Sequence, residues 1–391
     1  MTMNKCLSLA TASSIVLNLL NADPSLAFSF TKITDNQSSF NSVGLFSSIN
    51  NEGVVAFSTN IDSNGYATGI FTGNGRVTTK IADNTSSFSV FSPVATINNA
   101  GTVAFSANLD DTSNGIFLSN GGVITPIANS PYSRGLGDPV INNLGQVVFS
   151  ARLNTGGVGI FTSNGVETSL IADTNNGYTV LDTYDISDRN AVVFSAGLNT
   201  GGRGIFIYQG ETTTPVVETN GEFDFLSSPT LNNENTIAFR GVLDNYTSEG
   251  IFTVQNGTIN TIADDSGPFS SFSNPAINNE GIVAFQGSLD TGGFGIYIGS
   301  DPVADKVIAV GDILFGSRVV DLSFSNQGLN DVNQLAFYAE LANGTTGIFR
   351  ANLNQSSPPV PTPTLLPGIL MLGFFGRMFH FKAKRMAQEQ N

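Results

Sequence analysis

The chain has 391 residues, 40% of them hydrophobic and only 12% charged, with 42 Gly, 30 Phe and no Trp. That is far from disordered composition, and it suits short strands joined by turns. Between residues 28 and 353, 11 Lys and Arg stand against 29 Asp and Glu, a net of −18, which argues against nucleic acid or anionic lipid as a partner of this region.

Residues 1–27 read as a secretory signal peptide: Lys5 gives a weak positive start, Cys6 to Leu20 are apolar, and Ser25-Leu26-Ala27 supplies small-residue spacing for cleavage before Phe28. Cys6 is the only cysteine, and it stands at the beginning of the apolar stretch, where a lipoprotein site would need it at the end. Cleavage therefore leaves a mature chain with neither a disulfide nor a thiol nucleophile.

From residue 28 to residue 353 three phrases recur. The first, of the type INNxGxVAF, places an aromatic at Phe57, Phe105, Phe149, Phe194, Phe239, Phe285 and Phe337, with spacings of 48, 44, 45, 45, 46 and 52. The second, Gly-Ile-Phe, begins at Gly69, Gly115, Gly159, Gly204, Gly250, Gly295 and Gly347, with Tyr297 replacing Phe once. The third, of the type Ile-Ala-Asp, begins at Ile33, Ile81, Ile127, Ile171, Val217, Ile262 and Ile308. Periods in this range mark solenoids or propellers.

Within the first phrase the period is two. Val103, Phe105, Ala107 and Leu109 share one face, and Thr102, Ala104, Ser106 and Asn108 the other, as a strand requires. The centre of the second face is small: Ala56, Ala104, Ala238, Ala284 and Ala336, with Val148 and Val193 in the other two copies. A neighbouring sheet can settle closely there. The fourth turn position before this strand is Gly53, Gly101, Gly145, Asn190, Asn235, Gly281 and Asn333. Restriction to Gly and Asn predicts positive φ, and it casts the Asn residues as turn-formers rather than ligands. Pro93, Pro139, Pro229 and Pro275 precede the turns, so the strand entering each turn is expected at a sheet edge.

Phrase order decides between the open and closed forms. Phe28 to Asp35 is an Ile-x-Asp strand lacking its three predecessors, and the last copy stops at Leu353 without that strand. A ring can join these ends, whereas a solenoid would leave both edges unpaired or need distinct caps. The expected fold is all-β, a seven-bladed β-propeller of four-stranded blades over residues 28–353. It closes by pairing the mature N-terminal strand with the inner strands between Leu322 and Leu353, and the body is expected to be monomeric. A parallel β-helix is the alternative.

The body also resembles secreted bacterial tandem-repeat proteins carrying an Asn-x-x-Gly-x-x-Ala-Phe motif, complete at Asn50 to Phe57, Asn98 to Phe105 and Asn278 to Phe285 and decayed elsewhere. The resemblance implies export and repeat architecture, and it implies no activity.

Residues 354–364 form a Pro-rich linker, and residues 365–391 join an apolar run from Leu365 to Phe375 with Arg377, Lys382, Lys384 and Arg385. The run is shorter than the ~20 residues of a spanning helix, and its basic end favours the cytoplasm. With Pro361-Thr362-Pro363 and Leu365-Leu366-Pro367-Gly368 the tail resembles the PEP-CTERM class of sorting signals, without the Glu of the Pro-Glu-Pro form. That resemblance implies an exosortase-type enzyme as partner and a cell-surface or extracellular location. A plain transmembrane anchor is the alternative, and in either case the membrane is reached only through the tail.

Little in the body suggests catalysis. The one histidine, His380, lies in the tail, which removes a histidine base and the usual zinc ligands. Arg134, Arg152 and Arg203 lack the symmetry of a sialidase site. Carboxylates offer more: one rim is expected to collect Asp35, Asp83, Asp173 and Asp264 from the interblade loops and Asp62, Asp110, Asp111 and Asp290 from the loops between second and third strands. The first four are candidate calcium ligands; no other cofactor is implied. The expected function is a surface or matrix binding module for a polysaccharide, a protein or a cation, with Tyr132, Tyr178, Tyr184 and Tyr246 as stacking candidates. The alternative is a glycoside-cleaving propeller working through carboxylates alone.

Overall fold

A computed structural model describes residues 28–353 except 39, 62–67, 86, 131–134, 244–245 and 247. The signal, linker and tail segments lie outside the described residues. Seven antiparallel sheets follow one another along the chain and close into a seven-bladed β-propeller. Blade 1 shows the plan: Ser42–Ile49 is innermost, then Val55–Asn60, Gly69–Gly73 and, outermost, Thr78–Asp83. Ser29–Asp35 pairs with Thr346–Asn352, setting Thr31 opposite Arg350 and Thr34 opposite Ile348. The ring is closed as phrase order predicts, and the β-helix alternative falls.

Two blades depart from the simple plan. Blade 7 starts at Ser317–Ser323 rather than Leu322 and gains a short fifth strand, Ile313–Leu314. The longest repeat spacing provides this hairpin, whose Phe315 stacks on Phe349 at 5.7 Å. In blade 6 the innermost strand is split into Phe269–Phe272 and Ala276–Ile277. Pro275 lies in that break, and in blades 2 and 5 Pro93 and Pro229 fall at register shifts. A residue with no N–H is tolerated at such irregular edges.

The face pattern explains the packing between blades. Phe57, Phe105, Phe194, Phe239, Phe285 and Phe337 are fully buried and Phe149 nearly so. The small residue of each blade sits in the cluster around the next blade's Phe: Ala56 with Phe105, Ala104 with Phe149, Val148 with Phe194, Val193 with Phe239, Ala238 with Phe285, Ala284 with Phe337, and Ala336 with Phe57. Five blades add a third aromatic, Phe40, Phe88, Tyr178, Phe223 or Phe269, set edge-on against their paired rings.

The seven turn positions all have positive φ, from 58° at Asn235 to 81° at Gly281. The first Asn of each turn does more than shape it. Asn98 Oδ1 accepts from the amides of Ala100 and Thr102 in its own turn, while Nδ2 donates to the carbonyl of Asn142 in the next blade at 3.2 Å. Asn50, Asn142, Asn232, Asn278 and Asn330 make the same forward bond, Asn330 returning to Asn50 at 2.8 Å. Ser187 is too short to reach across, and its hydroxyl stays within its own turn.

The second residue closes a complete cycle. The amides of Asn51, Asn99, Asn143, Asp188, Asn233, Asn279 and Asp331 each donate to the side-chain oxygen of the next member, the last returning to Asn51, at 2.7 to 3.0 Å.

A buried hydrogen bond contributes about 0.5–1.5 kcal/mol net, and orphaning its partners costs about 1–3 kcal/mol. Ser187→Asn, which supplies the missing amide, is expected to stabilise the ring by about 1 kcal/mol in urea unfolding. Asn278→Leu should cost about 2–4 kcal/mol by the same reasoning. Equal midpoints for all three proteins would contradict the role given to these amides.

Candidate functional site

The four calcium candidates belong to one rim but to four blades. Asp35 accepts from Gln37 N, Ser38 Oγ and Lys32 Nζ. Asp83 is held by Lys80 Nζ and by the amide and hydroxyl of Thr85. Asp173 accepts from Asn175 N and Asn176 Nδ2, and Asp264 from Ser266 N and Oγ. Each carboxylate caps its own turn and the four do not converge. Among the described residues no group of three His, Cys, Asp or Glu side chains forms a metal site. Burial alone would raise the Asp35 and Asp83 carboxyls, but their Lys and hydroxyl donors outweigh it and hold both below the ordinary value.

Asp110 and Asp290 bond from their amides to Ser87 and Pro268, which lead into innermost strands, so these loops do share the interblade rim. Asp111 caps Ser113. Asp62, Tyr132 and Arg134 lie outside the described residues.

Chemistry concentrates on the axis. The innermost strands run toward the Asn turns, and their side chains line two cavities sharing Asn326 and Gln327 as wall. The cavity under the Asn cycle has a volume of about 110 Å³, and Asp185 is among its lining residues. The other, nearer the interblade rim, has about 450 Å³ and is lined in part by Phe46, Ser47, Asp138, Asp182, Tyr184 and Asn274.

Asp185 is buried at a position where the other repeats carry Ser48, Thr96, Val140, Thr230, Ala276 or Gly328. Thr230 Oγ1 donates to it at 2.5 Å, with further bonds from the amides of Ile186 and Leu231. Gln327 Nε2 donates from blade 7, across the channel, at 2.8 Å. Burial nevertheless raises this carboxyl above its ordinary value, the four donors opposing. Asp138 is raised for the same reason, with only the Ser92 hydroxyl opposing.

The tyrosines have separate fates. Tyr184 OH donates to Asp138 O at 2.7 Å and accepts from Ser150 N, and burial pushes the phenol up to about 12. Tyr178 is packed against Phe194 and Phe206 inside its blade. Tyr246 is 78% exposed.

Arg203 of blade 4 and Arg240 of blade 5 both approach the Phe225 ring, with Cζ at 5.4 and 5.8 Å from its centroid. Arg203 Nη2 pairs with Asp182 on the cavity wall, and its Nε reaches Leu226 O. Arg240 Nε pairs with Glu249 Oε1 at 2.8 Å, an oxygen that also accepts from Phe272 N. Sequence reasoning missed Asp138, Asp185, Phe225, Arg240, Glu249 and Gln327. Only Asp185 carried a signal, as a charge where aligned repeats are small or apolar.

Asp185 predicts a pH dependence. A carboxyl raised in the folded state binds its proton more tightly there than in the unfolded chain. Its contribution is greatest below the ordinary value of 3.8 and is lost as pH rises through the folded value. Asp35 and Asp83 act with the opposite sign, being lost as pH falls below 3.8. Melting temperature measured upward from pH 3.8 should therefore fall less in Asp185→Asn than in the parent. Identical slopes would contradict the assignment.

A family model described as a family of unknown function, DUF7453, matches residues 129–348. No curated protein matches the chain. Among solved structures it resembles the β-propeller domain of the trilobed protease from Pyrococcus furiosus, at TM-score 0.55 and 12% identity over 78% of this chain and 95% of that one. Oligogalacturonate lyase from Vibrio parahaemolyticus gives TM-score 0.55 and 12% identity over 83% of this chain and 96% of that one. A prolyl endopeptidase gives 0.53 and 10% over 80% and 50%. The chain spans half the length of that endopeptidase and 64% of TolB from Acinetobacter baumannii. At such identities the likeness is one of fold. Among the described residues no helix is long and apolar enough to cross a membrane.

Proposed function

The chain belongs to the DUF7453 family, of unknown function, and on that premise we propose that it is an exported binding module, displayed at or released from the cell surface, whose ligand enters the central channel from the interblade rim. The observation that carries this reading is the cavity of about 450 Å³ on the axis, walled by side chains of six blades, with Phe46, Val94, Asp138, Thr183, Asn274 and Asn326 differing at one repeat position. Repeat residues build the ring, whereas the cavity wall is where the blades differ.

The termini of the ring are compatible with display. Ser29 pairs with Asn352, and Leu353 N donates to Asn333 O in the Asn turn of blade 7. The described chain thus ends on the rim opposite the ligand entrance. The signal peptide and the sorting-type tail supply the case for export.

A glycoside-cleaving activity is the second reading, favoured by one observation: Asp138 and Asp182 line the same cavity in unlike surroundings, the first raised by burial and the second paired with Arg203. Unlike carboxylates are what acid–base cleavage of a glycoside requires. Loss of hydrolysis on Asp138→Asn with binding retained would favour it.

Glycan-array screening of the purified mature chain tests the main reading. For a captured glycan, Phe46→Ala and Asn274→Ala should each weaken binding about tenfold, as removal of central contacts does, with the melting temperature unchanged. Glu52→Gln, on the other rim, should leave affinity alone. Equal binding by all three variants would place the ligand outside the channel.

A further inference from the structure

We infer that the larger cavity is a blind pocket for the terminal residue of an uncharged saccharide, floored by the hydrogen bond between Gln327 and Asp185. This rests on the binding reading above and names its ligand class and mode of entry. Gln327 of blade 7 donates to Asp185 of blade 4, three blades away in a ring of seven, so the bond spans the channel. Gln327 lines both cavities and Asp185 the smaller one, which places the bond where the two meet. Asp185 is fixed there by the Thr230 hydroxyl and two backbone amides. A chain entering from the interblade rim therefore meets bonded side chains across its path. It can insert an end, and it cannot thread through.

The wall around that floor suits a sugar. At one repeat position, Phe46 and Val94 come from blades 1 and 2, Asp138 and Thr183 from blades 3 and 4, and Asn274 and Asn326 from blades 6 and 7. Apolar groups thus hold one arc of the wall, with oxygen acceptors and amides on either side of it. A pyranose is divided in the same way, between its C–H faces and its hydroxyl edge. The polar arcs also have bonding capacity to spare. Among the described residues Asp138 accepts on one carboxylate oxygen only, from Ser92. Asn274 Oδ1 accepts from Ser228 while its Nδ2 donates to no protein group, and the Asn326 side chain has no protein partner. Charge selects against acids: no Lys, Arg or His lines the cavity, and the Asp182 carboxylate is already paired with Arg203. A ligand carboxylate would face Asp138 with no counter-charge on the wall.

The experiment titrates the mature chain with linear hexasaccharides of glucose, mannose and galactose, with each of these blocked at both ends by bulky groups, and with hexamers of the three corresponding uronates. At least one neutral hexamer is expected to bind, its blocked form about tenfold more weakly and its uronate about tenfold more weakly. Asp138→Asn keeps an acceptor for Ser92, removes the charge, and should return about threefold of the uronate affinity; a merely structural Asp138 would leave the ratio of neutral to acidic sugar unchanged. If that variant does not fold, Asn326→Ala, with no protein partner to lose, should weaken the neutral hexamer about fivefold and leave its blocked form unchanged. Free and blocked hexamers binding alike would overturn the terminal-residue assignment, and a uronate as tight as its neutral counterpart would overturn the uncharged one. Either result leaves the channel reading intact if Phe46→Ala still weakens binding. Binding by none of the hexamers would sink the inference, and a blank glycan array as well would sink the reading beneath it.

Discussion

Blades of a propeller stack face to face, so the backbone hydrogen bonds that hold a sheet together stop at each blade's edges. One backbone bond does cross between blades, from Ile49 N to Gln327 O, but what links the Asn turns around the whole ring comes from side chains, and here it is a short amide or carboxylate. In the cycle through Asn51, Asn99, Asn143, Asp188, Asn233, Asn279 and Asp331, every member donates its backbone N–H forward and accepts on its side chain from behind. Asn and Asp are suited because their oxygen lies close to a backbone already bent by the turn, leaving little conformational freedom to lose. A cycle has no first or last member, so the whole set requires a closed ring.

Packing imposes the same closure by another route. The small residue of one blade receives the next blade's Phe, and Ala336 of blade 7 meets Phe57 of blade 1. The N-terminal strand completes the blade that carries Ala336. Nearly every repeated residue is thereby assigned to structure, which leaves the channel half away from the Asn turns as the region where one blade can differ from another without breaking the ring. Asp138, Asp182 and Tyr184 all belong to that region.

Much of this was readable from residue order. Blade number, the edge position of the Pro-bearing strand, positive φ at Asn190, Asn235 and Asn333, and the joining of Phe28–Asp35 to the last blade follow from period and turn chemistry, which are local properties. The blade-to-blade bonds of Asn98 or Asn99 were not readable, because a repeat shows which residues are equivalent but not that one reaches the next. The third aromatic was visible, since Phe88 precedes Phe105 as Phe40 precedes Phe57 by 17 residues, yet it lies outside the strongest phrases. The aspartates expected to share a cation are equivalent by repeat, and that equivalence is what separates them: Asp35, Asp83, Asp173 and Asp264 stand on different blades. Gln327 and Asp185 meet across the channel at a sequence distance of 142 residues, with no periodic pattern to announce it.

Closure of the ring by its own N-terminal strand is the claim on which the channel, the cycle and the site all depend. Thr31 and Arg350 face one another across that seam, and the mature chain has no cysteine to interfere. The most direct measurement is oxidation of a Thr31→Cys, Arg350→Cys double variant. The account predicts a disulfide within one molecule, formed at any protein concentration, together with a raised melting temperature. Free thiols after oxidation, or disulfides formed only between molecules, would contradict it.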